Sequence, residues 1–574
     1  MVNVLTTIWR QLSKLERFKL LTTLVARVAL VIFDLGGVAL VGISVAVATG
    51  TRTSTSSFTG TITQALSKTG VQNPYAIIAV AAVVFFCLKA LFSMILNRRM
   101  ATFIANLEIA KANALYSSIL RNDLDHLDKY SQSTISFALL GSTAAAFNLS
   151  ISSFSIVFGE LVMIVGVAAY LFAVNSLLLL LVALYLGAMG WLMNVLTAAR
   201  NRVQAKRLAT ETVASQRLLN ETHANFRQLA ISKSQNTFIN AFSTSRARVA
   251  NAQAEISILN VLPRYITEIA LMVGLGLLVG QRSLNGGVAV EAATIAIFVA
   301  GSFRIVASLL PLQGAINLLR QVEELGKPAL DMNSDLAQVA DSPNPHTPIP
   351  RHNPTIKFAD VAHTHGDGKV TFTGLNLEIP FGSKVLLTGH SGAGKSTLLD
   401  LLLGLRKPDS GLVTIGGAMP EYFRSVSTVA FGYVSQTAPL IEATVMQNIT
   451  LNLGSATADA GRLSEAVRIA ALDSVISNLP QGMDTFLKPG VLSGGQTQRI
   501  AIARAIYEKP GILILDEATS SLDRETAAKV MAEIIASYAD QTLIIVSHND
   551  IEFEDWDIKL DIVDGKVRIL KPSL

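Results

Sequence analysis

Six apolar stretches constrain the fold of this chain more than any other feature. They lie at residues 20–49, 75–96, 151–173, 176–196, 262–280 and 288–310. As helices, all six are long enough to cross the roughly 30 Å hydrocarbon core of a bilayer. The chain is 50% hydrophobic and only 16% charged, which is unusually apolar for a soluble protein. These features predict a membrane domain of six transmembrane helices.

Basic residues predict how this domain is oriented. The connections on the N-terminal side of the spans are rich in arginine and lysine, whereas the opposite connections carry only Arg52, Lys68 and Arg282. Because basic loops stay in the cytoplasm, we expect both termini to be cytoplasmic. The two basic loops are polar and helix-rich, so the membrane helices should extend beyond the bilayer. Near the N-terminus, Val4, Ile8 and Leu12 have the spacing of an amphipathic interfacial helix.

Three further short helices are expected in the connections. Two lie in the basic loops, near residues 123–129 and 218–227, where they should pass movement to the membrane helices. In the outer connection at residues 50–74, Phe58, Ile62 and Leu66 have the spacing of a short external helix, and a solvated Ser/Thr loop is the alternative.

A change of composition separates this region from a second domain. Five prolines fall within residues 341–354, which disfavours helix and predicts an extended linker. Beyond it, apolar runs alternate with glycines and charges, as in soluble α/β proteins. We therefore assign residues 1–325 to the membrane domain, 326–354 to the linker and 355–574 to an α/β domain.

The run KVLLTGHSGAGKSTLL in the second domain has the spacing of a P-loop between a strand and a helix. Backbone N–H groups of such a loop surround phosphates, the lysine contacts the β- and γ-phosphates, and the hydroxyl after it helps to hold magnesium. The pattern predicts an ATP and Mg²⁺ site made by Gly389, Ser391, Gly392, Ala393, Gly394, Lys395, Ser396 and Thr397.

A second apolar strand, in GILILDEATSSLD, ends in two carboxylates. Parallel strands deliver such residues to the phosphate edge of the sheet. Asp516 is suited to holding magnesium, and Glu517 to polarising the attacking water. The pentapeptide LSGGQ at residues 492–496 adds a hydroxyl and two glycines that can approach an anion closely.

With the P-loop, YVSQ, LSGGQ, the carboxylate strand, SSLD and VSH in this order, the chain resembles ATP-binding cassette exporters that carry six membrane helices and one cassette. The resemblance implies that each ATP site is shared by two chains. It assigns nucleotide contacts to Gln436, Ser493, Gly494, Gly495, Gln496, Asp523 and the catalytic His548, with Gln436 also at magnesium. Since one chain holds a complete set, we expect a homodimer.

Two positions depart from the family pattern. Where an aromatic residue usually stacks on adenine, the chain reads VAHTHGDG, which points to His365, with His363 as the alternative. LSGGQ at residues 492–496 is the signature motif of the family. Before this signature, Lys488 and Pro489 stand in a segment that lacks the usual glutamate, which affects the expected communication with the opposite membrane domain.

Cations inside the apolar spans suggest the substrate. Lys89, Arg264 and Arg304 lie in three different spans, where charges are expected to face a cavity rather than lipid. They are suited to binding one phosphate or pyrophosphate. Two alternatives remain: Lys89 snorkels to the interface, and Arg264 pairs with Glu268 at i, i+4.

The stretches VVFFCLKALF, VLPRYITEIA and TIAIFVAGSFR are similar to those of bacterial lipid-linked oligosaccharide flippases within the same family. The resemblance implies an ATP-driven flippase of a polyprenyl-pyrophosphate glycan in a bacterial plasma membrane. The alternatives are a multidrug, lipid or peptide exporter and, from another class, an ATP-gated channel or regulatory membrane protein. The six spans exclude the soluble cassette proteins of nucleic-acid repair, so no nucleic-acid partner is expected.

Overall fold

The computed structural model describes residues 2–48, 74–174, 176–284, 292–337, 354–365, 369–426, 431–454, 458–488, 490–547, 556–563 and 565–570. The chain forms two compact units. The helical unit comprises Met1–Leu120 and Tyr130–Gln338, and the α/β unit comprises Arg121–Lys129 and Val339–Leu574. The short segment Arg121–Lys129 therefore belongs to the α/β unit, although the chain on either side of it belongs to the helical unit.

The helices before the first strand are, in chain order, α1 (Val2–Gln11), α2 (Lys14–Ala48), α3 (Pro74–Arg121), α4 (Leu124–Leu127), α5 (Gln132–Phe137), α6 (Ser150–Val174), α7 (Ser176–Ala224), α8 (Phe226–Ile231), α9 (Gln235–Leu284), α10 (Ala292–Leu325) and α11 (Lys327–Ala337). Two π-helical segments, Ala138–Ser142 and Ala144–Leu149, connect α5 to α6. Within the described residues, one helical stretch, Gln132–Ala169, passes a test of length and apolarity for a membrane span, with a mean hydropathy of 2.0.

Three of these helices are much longer than a bilayer requires. Helices α3, α7 and α9 contain 48, 49 and 50 residues. At 1.5 Å per residue they are each about 70–75 Å long, more than twice the hydrocarbon thickness of a membrane. The prediction that the membrane helices continue through the basic loops is therefore confirmed.

The α/β unit contains two sheets. A three-stranded antiparallel sheet has the order β2 (Val370–Ile379), β1 (Ile356–Thr364), β4 (Ser410–Ile415). A six-stranded sheet has the order β5 (Phe431–Val434), β6 (Ile512–Asp516), β7 (Thr542–Val546), β3 (Lys384–Gly389), β8 (Ile558–Val563), β9 (Lys566–Leu570). Its neighbouring strands pair in parallel, except for the antiparallel pair β8 and β9.

Helices connect and cover these strands: α12 (Lys395–Leu402), α13 (Pro420–Val426), α14 (Val445–Thr450), α15 (Ala460–Ile469), α16 (Asp473–Ser477), α17 (Gly494–Ile506) and α18 (Arg524–Ser537), with a 3₁₀ turn at Gly482–Asp484. Every residue of β6 and β7 is buried, as expected for parallel strands covered on both faces. Because the carboxyl ends of parallel strands meet at one edge, the segments that follow β3 and β6 lie at the same edge of the sheet, with β7 between the two strands.

The predicted fold class, an α-helical domain followed by an α/β P-loop domain, is confirmed. The predicted N-terminal amphipathic helix is α1, and a short helix predicted near Asp123–Lys129 is α4. A second short helix, predicted at residues 218–227, is displaced to α8, because α7 continues to Ala224. An external helix predicted within residues 50–74 lies outside the described residues, as does most of the predicted linker.

Candidate nucleotide-binding site

The P-loop connects β3 to α12 and requires glycine at both of its ends. Gly389 and Gly394 have φ angles of 146° and 110°, which other residues rarely adopt. A Cβ atom on Gly394 would lie 2.8 Å from Thr371 and 3.1 Å from Phe372. The loop is therefore held close to β2, and its backbone N–H groups precede the N-terminus of α12, as in anion-binding sites.

A cavity of about 470 Å³, here called the P-loop pocket, lies on this loop. Residues His390–Thr397 line one side of it, and His365, Gln436, Asp516 and Glu517 line other parts. The pocket thus combines a loop shaped to bind phosphate with two acidic residues, an amide and an imidazole. These residues fit a nucleoside triphosphate and its divalent cation.

Lys395 extends back over the loop that precedes it. Its Nζ atom donates hydrogen bonds to the carbonyl oxygens of Gly389 at 2.7 Å and His390 at 3.2 Å. Burial lowers the pKa of Lys395, although the negative charges of Glu517 and Asp516 act in the opposite direction. The side chain therefore lies against the P-loop, where a charge-assisted contact with phosphate oxygens is available to it.

The two carboxylates at the end of β6 have different surroundings. Asp516 is 9% exposed, and burial followed by repulsion from Glu517 raises its pKa. Glu517 has a φ angle of 51°, an unusual value for a residue with a side chain, and accepts a 2.9 Å hydrogen bond from the Gln436 amide. Strained backbone of this kind is often found at catalytic positions. Gln436, Asp516 and Glu517 are therefore brought together, as the motif pattern predicted.

Two residues that support this site were missed in the sequence. The buried Gln498 donates from Nε2 to the Glu517 carbonyl at 3.0 Å and accepts from the Ser521 N–H at 2.9 Å. The Tyr433 hydroxyl donates to Asp516 at 3.4 Å, and burial followed by the Asp516 charge raises the Tyr433 pKa. Gln498 follows the signature, and Tyr433 precedes Gln436 by three residues. Their closeness in sequence to these motifs was the only feature that could have identified them as site residues.

The signature residues form the start of a helix. The Ser493 side chain caps α17 by accepting from the Gln496 N–H, and Gln496 accepts from the Ser493 N–H in return. A Cβ atom on Gly495 would lie 2.9 Å from the Ser521 carbonyl oxygen, so the small residue permits close packing. Among the described residues, those lining the P-loop pocket include none from 492–496.

Asp523 is also outside the set that lines the pocket. It caps α18 by accepting from the Thr526 N–H at 2.9 Å, and this hydrogen bond lowers its pKa. His548 lies outside the described residues. The structure thus brings the P-loop, Gln436 and the carboxylates together, and places the signature and Asp523 elsewhere in the α/β unit.

The two histidines considered for adenine stacking occupy different environments. His365 lines the P-loop pocket, with Nε2 3.1 Å from the Thr397 hydroxyl. His363 is 1% exposed, and its Nδ1 atom lies 3.1 Å from the Lys407 carbonyl oxygen. Of the two, only His365 is placed to contact a nucleotide in this pocket.

Replacement of His365 by alanine should raise the KM for ATP about tenfold, since stacking of a base on an aromatic ring contributes roughly 1–3 kcal/mol. His365→Phe should keep most of the affinity, because it retains a ring. Steady-state ATPase activity measured against ATP concentration tests both variants. Equal KM values for the alanine variant and the parent would remove His365 from the site.

Two of the three cations proposed for the substrate, Lys89 and Arg264, have side chains in the described part of the helical unit. Lys89 is half-buried on α3. Arg264 is 68% exposed and pairs with Glu268 through a 3.0 Å contact, as the alternative interpretation predicted. Arg304 lies in α10 at a position whose side chain is outside the described residues. Their use as a common anion site therefore stays a prediction.

Comparisons with known proteins agree with this architecture. Residues 372–520 match the family model described as ABC transporter. An "ATP-dependent lipid A-core flippase" of Paraburkholderia xenovorans is 26% identical over 466 residues, covering 79% of this chain and 76% of the relative. A flippase of the same name from Burkholderia pseudomallei is 29% identical over 417 residues, covering 70% and 68%.

The solved structure of a bacterial Atm1-family ABC exporter with ATP bound has the same fold, with a TM-score of 0.77 and 19% identity over 96% of this chain and 94% of that one. The matched ATPase domain and the flippase relatives support ATP hydrolysis coupled to transport. The comparison places residues 372–520 in the ABC transporter family. This match implies that the α/β unit binds a nucleotide.

Proposed function

We propose that this protein is an ATP-driven flippase that moves an anionic lipid-linked substrate, a polyprenyl-pyrophosphate oligosaccharide, from the inner to the outer leaflet of a bacterial plasma membrane. Both termini would lie in the cytoplasm. The main support is the P-loop pocket with its paired carboxylates in a chain that has an exporter fold. Two relatives are named as lipid A-core flippases, which favours a lipid substrate.

The ATP sites would be completed by a second copy of the chain. The observation that favours this is the separation, within the described residues, of the signature from the P-loop pocket. In a head-to-tail homodimer, Ser493 and Gly495 at the N-terminus of α17 would face the γ-phosphate at the partner's P-loop. A helix N-terminus with glycines is suited to this anion. Two equivalent sites would result.

Within each site, Ser396, Gln436 and Asp516 would hold Mg²⁺, which would neutralise charge on the phosphates. Glu517 would accept the proton of the attacking water as general base. Its carboxylate is oriented by Gln436, and its backbone by Gln498. His548 would contact the γ-phosphate.

An ion-pair cluster suggests how the site communicates with α4. The guanidinium of Arg406 contacts three carboxylates: Asp125 at 2.5 Å and Asp128 at 2.6 Å, from α4 and the residue after it, and Asp400 of α12 at 3.1 Å. Burial disfavours the charged form, but these carboxylates outweigh it and raise the pKa of Arg406. Helix α12 begins at Lys395, so this cluster would transmit P-loop movements to α4, and from there to α3 and α5.

The pyrophosphate of the substrate would be bound by Lys89, Arg264 and Arg304. Replacing each by glutamine should reduce flipping of a polyprenyl-pyrophosphate glycan at least about fivefold while basal ATPase is largely kept, because these residues are remote in sequence from every nucleotide motif. If the three share one anion, their effects should be non-additive. Reconstituted flipping and ATPase assays measure both outcomes. The exposed Arg246, also on α9, provides a matched control as Arg246→Gln.

The observed Arg264–Glu268 pair leads to a different expected result if Arg264 does not bind the substrate. If Arg264 has only this structural role, Arg264→Gln should lower the melting temperature and harm ATPase and transport together. Adding Glu268→Gln should then restore much of the loss, because it removes the carboxylate left without its partner. Normal flipping by all three single variants would rule out the anion site and would leave Lys89 as a lysine that snorkels to the interface.

A further inference from the structure

A pocket with a basic lining lies between α2 and α3 in the helical unit. Its volume is about 630 Å³. Lys19, Arg98 and Arg99 line it together with Glu16, and its apolar lining includes Phe103 and Leu107. This α2–α3 pocket is distinct from the proposed substrate cations, because neither Lys89 nor Arg264 lines it.

Several contacts fix the shape of this pocket. Lys111 on α3 donates from Nζ to the Gln11 carbonyl at 2.6 Å and contacts Glu16 at 3.4 Å, which joins the α1–α2 corner to α3. The buried Ile8 of α1 and Leu107 of α3 belong to one apolar core. The helices on either side of the pocket are therefore packed against each other.

The charge of the pocket is strongly positive. Glu16 is already engaged, since it accepts a 2.7 Å hydrogen bond from the Ser13 N–H and contacts Lys111. In the part of the chain that the structure describes, no carboxylate pairs with Lys19, Arg98 or Arg99, and all three side chains are exposed. Three cations are thus available to one ligand, and the chemistry they favour is that of a phosphate group.

The position of these cations indicates which kind of molecule carries that phosphate. Lys19 immediately precedes the first apolar stretch, and Arg98 and Arg99 follow the second by two or three residues, so all three mark the same border of the membrane domain. Beside them, Phe18 is 63% exposed and Ile95 is 51% exposed. Cations at the bilayer border with exposed apolar side chains next to them match a lipid head group and its acyl chains.

We propose that the α2–α3 pocket binds the phosphodiester head group of an anionic diacyl phospholipid. Lys19, Arg98 and Arg99 contact the phosphate, and Phe18 and Ile95 contact the acyl chains. The proposal does not depend on which substrate is transported. It makes this phospholipid a structural ligand that fixes the α1–α2 corner at the membrane border.

The test is lipid binding by the full-length protein in detergent, measured by native mass spectrometry during titration with dioleoyl phosphatidylglycerol. The triple variant Lys19→Gln/Arg98→Gln/Arg99→Gln should lose at least about tenfold in affinity, since each cation supplies a charge-assisted contact. The control Lys206→Gln/Arg207→Gln/Arg246→Gln removes three exposed cations elsewhere in the helical unit and should bind like the parent.

Two further measurements distinguish loss of the binding site from misfolding and from nonspecific lipid binding. The charge-conserving variant Lys19→Arg/Arg98→Lys/Arg99→Lys should keep the lipid, and ATP binding by each variant reports its folding. Dioleoyl phosphatidylcholine should bind the parent and the triple variant equally weakly. Equal phosphatidylglycerol binding by the triple variant and the parent would overturn the proposal. So would displacement of the lipid by millimolar inorganic phosphate, because the pocket would then select a free anion.

Discussion

Glu517→Gln should bind ATP with nearly the parent affinity and hydrolyse it at least about 100-fold more slowly, as expected when a general base is removed. The amide keeps the shape of the carboxylate and the contact with Gln436, which lies 2.9 Å away. It cannot accept a proton from water at neutral pH. Steady-state ATPase and equilibrium nucleotide binding, measured on the same preparation, separate the two effects. Closed, ATP-bound dimers should accumulate.

The exposed Glu525, in the first turn of α18, offers a matched control, and Glu525→Gln should leave the ATPase rate unchanged. A parent-like rate in Glu517→Gln would show that another group serves as the base. Loss of ATP binding in that variant would instead indicate that the strained backbone at φ 51° does not tolerate the change.

Lys395→Ala should weaken ATP binding itself, by about 10- to 100-fold, because a hydrogen bond to a charged group contributes roughly 1.5–3 kcal/mol. In the structure the ammonium group lies on the P-loop through its contacts with Gly389 and His390. The loop backbone would remain, so binding should weaken without being abolished. Titration of the purified protein with a fluorescent ATP analogue gives the dissociation constant directly.

Lys529→Ala, on the exposed surface of α18, is the appropriate control for Lys395 and should bind ATP like the parent. If Lys395→Ala also retained the parent affinity, the lysine would have no contact with the phosphates. A loss of binding together with a lower melting temperature in the absence of nucleotide would indicate a structural fault instead.

The parts of the site that were predictable are those encoded by local sequence. The P-loop could be located because Gly389 and Gly394 need backbone angles that few residues adopt, and because a strand and a helix flank them. Asp516 and Glu517 were found because a fully apolar strand ends there. In both cases a few consecutive residues specify the geometry.

Other parts depend on packing between distant segments. Gln498 supports Glu517 through a contact between residues 19 positions apart, and Tyr433 reaches Asp516 across neighbouring strands. The choice between His363 and His365 depended on the end of β1, where His363 is buried and His365, just beyond the strand, lines the pocket. No local pattern encodes these outcomes.

Sequence periodicity also failed to predict where some helices end. The second short helix was expected at residues 218–227, but α7 remains helical through Ala224 and α8 begins at Phe226. A single break at Asn225 separates them, and the polar residues on both sides suit a helix equally well.

The central claim is that ATP hydrolysis drives the movement of an anionic lipid, and transport by the protein in proteoliposomes tests it most directly. A fluorescent polyprenyl-pyrophosphate glycan is placed in both leaflets, and its accessibility to an impermeant quencher is followed after ATP addition. We predict ATP-dependent movement away from the leaflet that faces the nucleotide-binding domains, and no movement with Glu517→Gln. Equal movement with and without ATP, or none under conditions where the parent hydrolyses ATP, would contradict the account.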